Sequence, residues 1–491
     1  MANEQKAKMS GDYDAYTVED AAPPVVSVTH GIDERKLVAK IDRHVVPFLC
    51  VMYTMAYLDR INIGNATIFG LRDELGLVDN TYNTALVVFF IPYILFEIPS
   101  NILLKRFKPH VWLSINMFGF GLMTLCQGFV TNFASIVTTR VLLGIFETGM
   151  FPGAFYLIGM WYRRDEAQKR FSFFFNSTTL AGAFGGLIAA AIGKMDGTAG
   201  MRGWRWIFIL EGALTIIIAV VFYFCLPGFP EDSQWLTKEE KACVVERLRT
   251  DQGESATEIT FTARDYLGVF KDIRVFLGGM MYFSLLVPSY GYAYFAPTII
   301  QSFGYDLVQT QLHSVPPWVA AFGLSMMVAY LSDRTRHRFS FAIFGILVCI
   351  CGLAVLLAVR NMPNIQYAML FLVASGAFTA MPIVVCWFNM NLGGHLRRSV
   401  GSAWQISFGN IGAIIAIFAF LKKDAPLYIP GYSIAIAFSI LALIVVTAYA
   451  ASCHMSNKSR NTQASAASVD HLSPEERLKL GDLLPTYRYL L

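Results

Sequence analysis

Polar and apolar positions in this chain are segregated into long blocks. After 44 largely polar residues, apolar runs occupy 45–64, 82–104, 111–130, 134–161, 171–193 and 205–226. Beyond a polar stretch at 227–274 they resume at 275–300, 312–332, 339–359, 365–388, 399–421 and 431–453. Each is about 18 residues or longer, enough for a helix to cross a hydrocarbon layer of about 30 Å. The pattern predicts an all-α membrane protein with twelve transmembrane helices in two six-helix pseudo-repeat bundles, 45–226 and 275–453. An N-terminal tail (1–44), a linker with short amphipathic helices (227–274) and a C-terminal tail (454–491) complete the plan. In the linker, Thr237 and Glu240 have the spacing of a capping box, and Arg264 to Phe270 suits an interfacial helix. Ser473 to Glu476 repeats the capping signature in the tail.

Charge orients the plan. Arg35, Lys36, Lys40 and Arg43 precede the first run. Lys105, Arg106, Lys108, Arg163, Arg164, Lys169, Arg170, Arg334, Arg336, Arg338, Arg397 and Arg398 fall in connections on the same side. That side is expected to be cytosolic, with both termini there. Arg202, Arg205, Lys422 and Lys423 are exceptions. The first 44 residues lack the charged-then-apolar form of a cleaved signal, so the first run is the expected insertion signal.

Composition narrows the function. Of 491 residues, 55% are hydrophobic and 15% charged, against about 25% charged in soluble domains. Eight cysteines, most of them single within apolar runs, make neither a disulfide framework nor a metal site. Without a metal-ligand cluster, phosphate loop or nucleophile elbow, no enzyme, cofactor or nucleic-acid partner is expected. The bilayer is the expected partner, and the expected state is a monomer.

The candidate chemistry lies in charges that apolar runs should not tolerate. Arg140 and Glu147 stand inside 134–161, where each costs about 2.5 to 3.5 kcal/mol to insert. Seven residues apart, they share a helix face. Asp59 and Arg60 end the first run, and the four residues are expected to converge on a central cavity between the two halves. The arginines are fixed positive charges for an anion. Burial and a neighbouring arginine pull a carboxyl in opposite senses, which suits Asp59 and Glu147 to proton coupling. For Glu97 and Glu211, an ion pair or helix-end cap is the expected role. Asn176, Asn389, Asn391, Gln405 and Asn410 can glue helices or meet substrate; Asn389 is carried as a substrate candidate. Tyr290, Tyr292 and Tyr294 suit either an aromatic belt or a stacking wall, and Tyr290 and Tyr294 are carried as substrate candidates. Gly182, Gly185 and Gly186 suit close helix packing.

Two basic turns at corresponding positions, Pro99 to Trp112 and Tyr330 to Ser340, suggest related halves. Leu331, Ser332, Asp333 and Arg334 resemble the loop signature of the major facilitator superfamily, which implies two halves rocking about a midplane site, with Asp333 and Arg334 acting on conformation. YLDRINIGNA around Asp59 and Arg60, with Arg140 and Glu147, resembles the anion:cation symporter branch. Ile91 to Arg106, Phe151 to Arg170, Gly203 to Thr215 and Trp387 to Gly412 resemble its fungal permeases for allantoate and for vitamins such as nicotinate. The seventh run lacks the arginine that relatives carrying amino-acid-like anions have there; tyrosines stand in its place. The resemblance implies proton-coupled uptake of a small monocarboxylate, nicotinate foremost, at the plasma membrane. Export by proton antiport is the alternative, and a nutrient sensor the third reading. Ala181 to Gly186, AGAFGG, lacks the proline of drug antiporters and favours import.

Overall fold

The computed structural model describes residues 32–252, 268–335, 337–359, 362–393, 395–462, 481–485 and 487–491. Most of the N-terminal tail, much of the interfacial stretch expected over 264–270, Arg336 and the capping signature at 473–476 lie outside them. The first half contains α1 (Glu34–Ile68), a short α2 (Leu71–Glu74), α3 (Asp79–Arg106), α4 (Pro109–Gln127), α5 (Phe133–Glu147), α6 (Met150–Trp161), α7 (Arg164–Ile192) and α8 (Gly203–Cys225). The linker carries α9 (Lys238–Gln252). The second half contains α10 (Ile273–Gln301), α11 (Leu307–Thr335), α12 (Arg338–Ala358), α13 (Pro363–Asn391), α14 (His395–Ala419) and α15 (Ile429–Thr462). Since α6 continues α5 across Thr148 and Gly149, the described residues trace twelve long segments, six before the linker and six after, and no strand. Nine of these segments are long and apolar enough to cross a membrane; α1, α3 and α4 are not among them. Large apolar side chains such as Leu95, Ile217, Phe224, Met327 and Ile444 are exposed on the outside, the surface a bilayer requires.

Helix α1 begins well before the apolar run that announces it. Asp33 caps it by accepting from the Arg35 and Lys36 nitrogens at 3.0 and 3.4 Å. Leu37, Ile41, Val45 and Leu49, at every fourth position, form a buried stripe. The linker clamps this extension: Lys40 pairs with Glu240 at 2.7 Å and His44 stacks on Trp235 at 4.2 Å. The Thr237–Glu240 capping box forms, with bonds of 2.9 and 3.2 Å. Lys40 beside Glu240 holds that carboxyl below the usual carboxylate range.

The halves meet along α1 with α10, α3 with α14, and α7 with α11. At the last seam Gly182 lies against Trp318, where a Cβ would stand 2.3 Å from the indole ring. Ser325 donates to Asn176 at 2.5 Å, so Asn176 joins the halves.

The start of α1, the linker and the segment 481–491 lie on one face, the linker face. That segment straps the second half together. The Asp482 carboxylate accepts from Arg397 at 2.6 and 3.1 Å, Trp387 donates to the Leu490 carbonyl at 2.8 Å, and the Arg338 nitrogen donates to the Leu491 carbonyl at 2.8 Å. Arg397 also bonds Asp272. Burial alone would raise the Asp272 carboxyl, but Arg274 and Arg397 outweigh it and hold it below its ordinary value.

Candidate site at the junction of the two halves

The helical spacing of Tyr53, Tyr57, Arg60 and Gly64 turns one face of α1 towards the second half. Arg60 donates through Nε to Glu147 Oε1 at 2.8 Å, and its Nη2 bonds the same oxygen. Its Nη1 donates to the Tyr290 hydroxyl at 2.5 Å. One guanidinium therefore ties α5 of the first half to α10 of the second. Arg140 Nη1 donates to the Arg60 carbonyl at 3.2 Å. Among the described residues, Arg140 Nε and Nη2 and Glu147 Oε2 have no hydrogen-bond partner. The cluster is shut from solvent on both sides: Arg60 is 4% exposed, Arg140 and Glu147 1% each.

Glu147 closes α5, and the helix resumes at Met150. The break has a local cause. Pro152 cannot donate to the Thr148 carbonyl, and its ring clashes with that group. A helix C-terminus is a poor place for a carboxylate, so Glu147 depends on Arg60.

Aromatic rings complete the enclosure. The Arg60 guanidinium carbon lies 5.1 Å from the Phe89 ring centre and 5.0 Å from that of Tyr93, both on α3. Tyr57 is 6.0 Å away. Tyr290 and Tyr294, one turn apart on α10, stack with centroids 5.5 Å apart, and Pro288 and Pro297 flank them in the same helix. Tyr292 turns the other way, onto Trp318 at 5.1 Å. The i, i+4 spacing of Phe89 and Tyr93, and of Tyr53 and Tyr57, is the signal by which the other rings could have been found.

Other candidates lie elsewhere. Asp59 points away from the cluster into the first half, where Thr215 donates to its Oδ2 at 3.2 Å. Asn389 is not brought to the arginines. It lies near the linker-face end of α13, donating to Gln405 at 3.1 Å and accepting from Ser402, in the gluing role. Asp333 and Arg334 end α11 on the linker face; Asp333 pairs with Arg338, which also donates to Ser332 at 2.9 Å. Glu97 accepts from Ser407 across the halves at 2.7 Å. Glu211 has neither the expected ion pair nor a cap: both its oxygens are buried without a partner among the described residues. The exceptional arginines of the far face do have a carboxylate. Arg205 pairs with Glu74 at 2.7 Å and Arg202 at 3.7 Å.

Comparison with known proteins agrees with this architecture. Residues 49–417 match the Major Facilitator Superfamily profile. The chain is 32% identical over 483 residues to the MFS-type transporter cnsO of Penicillium expansum, covering 95% of this chain and 92% of that one. It is 30% identical over 465 residues to the major facilitator-type transporter hxnP of Emericella nidulans, covering 93% of each. Among solved structures, a bacterial homolog of the human lysosomal transporter Spinster, inward-facing and unoccupied, aligns with a TM-score of 0.63 at 15% identity, over 83% of this chain and 96% of that one. The last likeness speaks for the fold alone, but together with the profile and the fungal relatives it places this multi-pass membrane protein among transporters rather than enzymes: the chain belongs to the Major Facilitator Superfamily.

Proposed function

We propose that the chain carries a small aromatic monocarboxylate, nicotinate foremost, together with protons into the cytosol by alternating access, with the linker face cytosolic. The observation that supports this is the position of Arg60, held by Glu147 on one side and by Tyr290 of the opposite half on the other. An ionised Glu147 occupies the arginine; a protonated one releases it. The substrate carboxylate then takes the vacated guanidinium edge and the unused Nε and Nη2 of Arg140, and its ring lies against Tyr290 and Tyr294. Because Arg60 joins both halves, exchanging its partner bears directly on whether they separate. An inward-negative potential opposes a lone anion by about 2.3 kcal/mol per 100 mV, and each accompanying proton cancels one such charge.

The test uses reconstituted protein and radiolabelled nicotinate within a panel of monocarboxylates. Acid outside should drive accumulation. Glu147→Gln should keep counterflow exchange and lose accumulation, since it removes the group whose protonation links the two fluxes. Wild-type accumulation by this variant would refute the assignment. Expulsion of substrate by the parent protein under acid outside would establish proton antiport instead.

A further inference from the structure

Asp59 occupies a seam between α1, α4 and α8. There α4 and α8 pack backbone to backbone: a Cβ on Gly212 would stand 2.3 Å from the Leu125 nitrogen. This contact sets Thr124 and Gln127 of α4 against the turn of α8 that carries Glu211 and Thr215. Thr215 donates to Asp59 Oδ2, and the Thr124 hydroxyl lies close enough to act on the same carboxyl. Both Glu211 oxygens and both Gln127 amide atoms lack partners among the described residues. Asp59 and Gln127 are 0% exposed and Glu211 2%. The titratable group acting on Glu211 is Asp59, which in turn feels Glu147 and Arg140 of α5. Helix α4 brings the uncharged Thr124 and Gln127, and α7 has no ionisable side chain between Phe171 and Ile192. Arg140 acts on Asp59 from α5, but among the described residues no cation is bonded to either carboxyl, and two carboxyls in one dry seam oppose each other's ionisation.

We propose that Asp59 and Glu211 form a second protonation site, taking one proton and separate from the Arg60–Glu147 pair. Loading breaks one O–H bond of hydronium and makes one on a carboxylate oxygen, leaving water, and unloading reverses it. The bound proton supplies a donor at Glu211, whose two oxygens otherwise receive none among the described residues. Towards the far face the seam is covered by Arg205, which donates to the Gly128 carbonyl at 2.9 Å and is tied to Glu74. Trp204 donates to the same carboxylate at 2.6 Å. Release of this clasp gives far-side water access to Gln127 and Glu211. The site rests on the coupled-transport reading for its purpose, and on the seam's geometry for its existence.

Infrared difference spectroscopy on the purified full-length protein in lipid, with pH stepped in light and heavy water, uses the proton itself as the probe. One component of the protonated-carboxyl band should persist in the parent and in Glu147→Gln. It should vanish in Glu211→Gln and return at a shifted frequency in Glu211→Asp. Where Glu211→Gln does not fold, Asp59→Asn must remove or shift the same component. Survival of every component in either folded variant overturns the proposal, as does loss of the component on adding sodium chloride at fixed pH, which would mark a metal-cation site. If acid outside drives no accumulation by the parent protein while this component stays tied to Glu211, the transport reading falls and the site stands.

Discussion

Arg60 carries more of the candidate site than its neighbours because its donors reach both halves, Nε and Nη2 to Glu147 of α5 and Nη1 to Tyr290 of α10. Replacement by Ala removes a charge-assisted hydrogen bond to the anion, worth about 1.5 to 3 kcal/mol, so affinity should fall by roughly tenfold to a hundredfold. Equilibrium binding of labelled nicotinate to solubilised protein measures this, and an unchanged dissociation constant would remove Arg60 from the site. The sequence marked Arg60, Arg140 and Glu147 because charges are costly in lipid. Asp59 departs from the expected convergence: adjacent helical residues point about 100° apart, and with Arg60 turned to Glu147 and Tyr290, Asp59 turns to Thr215 within the first half. Asn389 could not be sorted this way: an asparagine inside an apolar helix looks the same whether it binds a neighbouring helix or a ligand, and its bonds to Gln405 and Ser402 depend on packing.

Among the elements, the broken helix at Thr148 and Gly149 and the tight α7–α11 seam determine what can move. Pro152 was visible in the sequence as a breaker, but the apolar run continues unbroken through it, and hydropathy alone reads one span. The Gly182 contact was legible only as a tendency, because small residues permit close approach without naming the partner. A Cβ there would meet Trp318 at 2.3 Å, so Gly182→Leu should hold α7 and α11 apart. A cysteine placed at Ser314, which is buried in the parent, should then be labelled by an impermeant maleimide from the far face and stay protected when Gly182 is retained. Equal protection in both proteins would mean that this seam does not close the far side.

Over the whole molecule, the block pattern made the two-half plan readable, whereas the docking of 481–491 was not, since it depends on partners such as Asp482 and Arg397 that lie 85 positions apart. The strap reaches the motif loop through Arg338, which pairs with Asp333 and whose nitrogen meets Leu491. Asp333→Asn should therefore slow turnover while leaving affinity within about threefold, a change below roughly 1 kcal/mol; a large loss of binding with normal expression would contradict that. The linkage at Asp272 has a definite sign. Its folded-state value is depressed, so its stabilisation is present above the ordinary carboxylate value of about 4 and is lost as pH falls through the folded value. Thermal unfolding in lipid should show a decline on acidification that is smaller in Asp272→Asn. The same strap also limits how the second half can deform. Trp387, Arg397, Arg338 and Arg460, from four different helices, are all bonded to one short peptide, as spokes are fixed to a hub. Helices joined in this way cannot slide past one another at that end without breaking several bonds at once, so the half pivots there as a single plate.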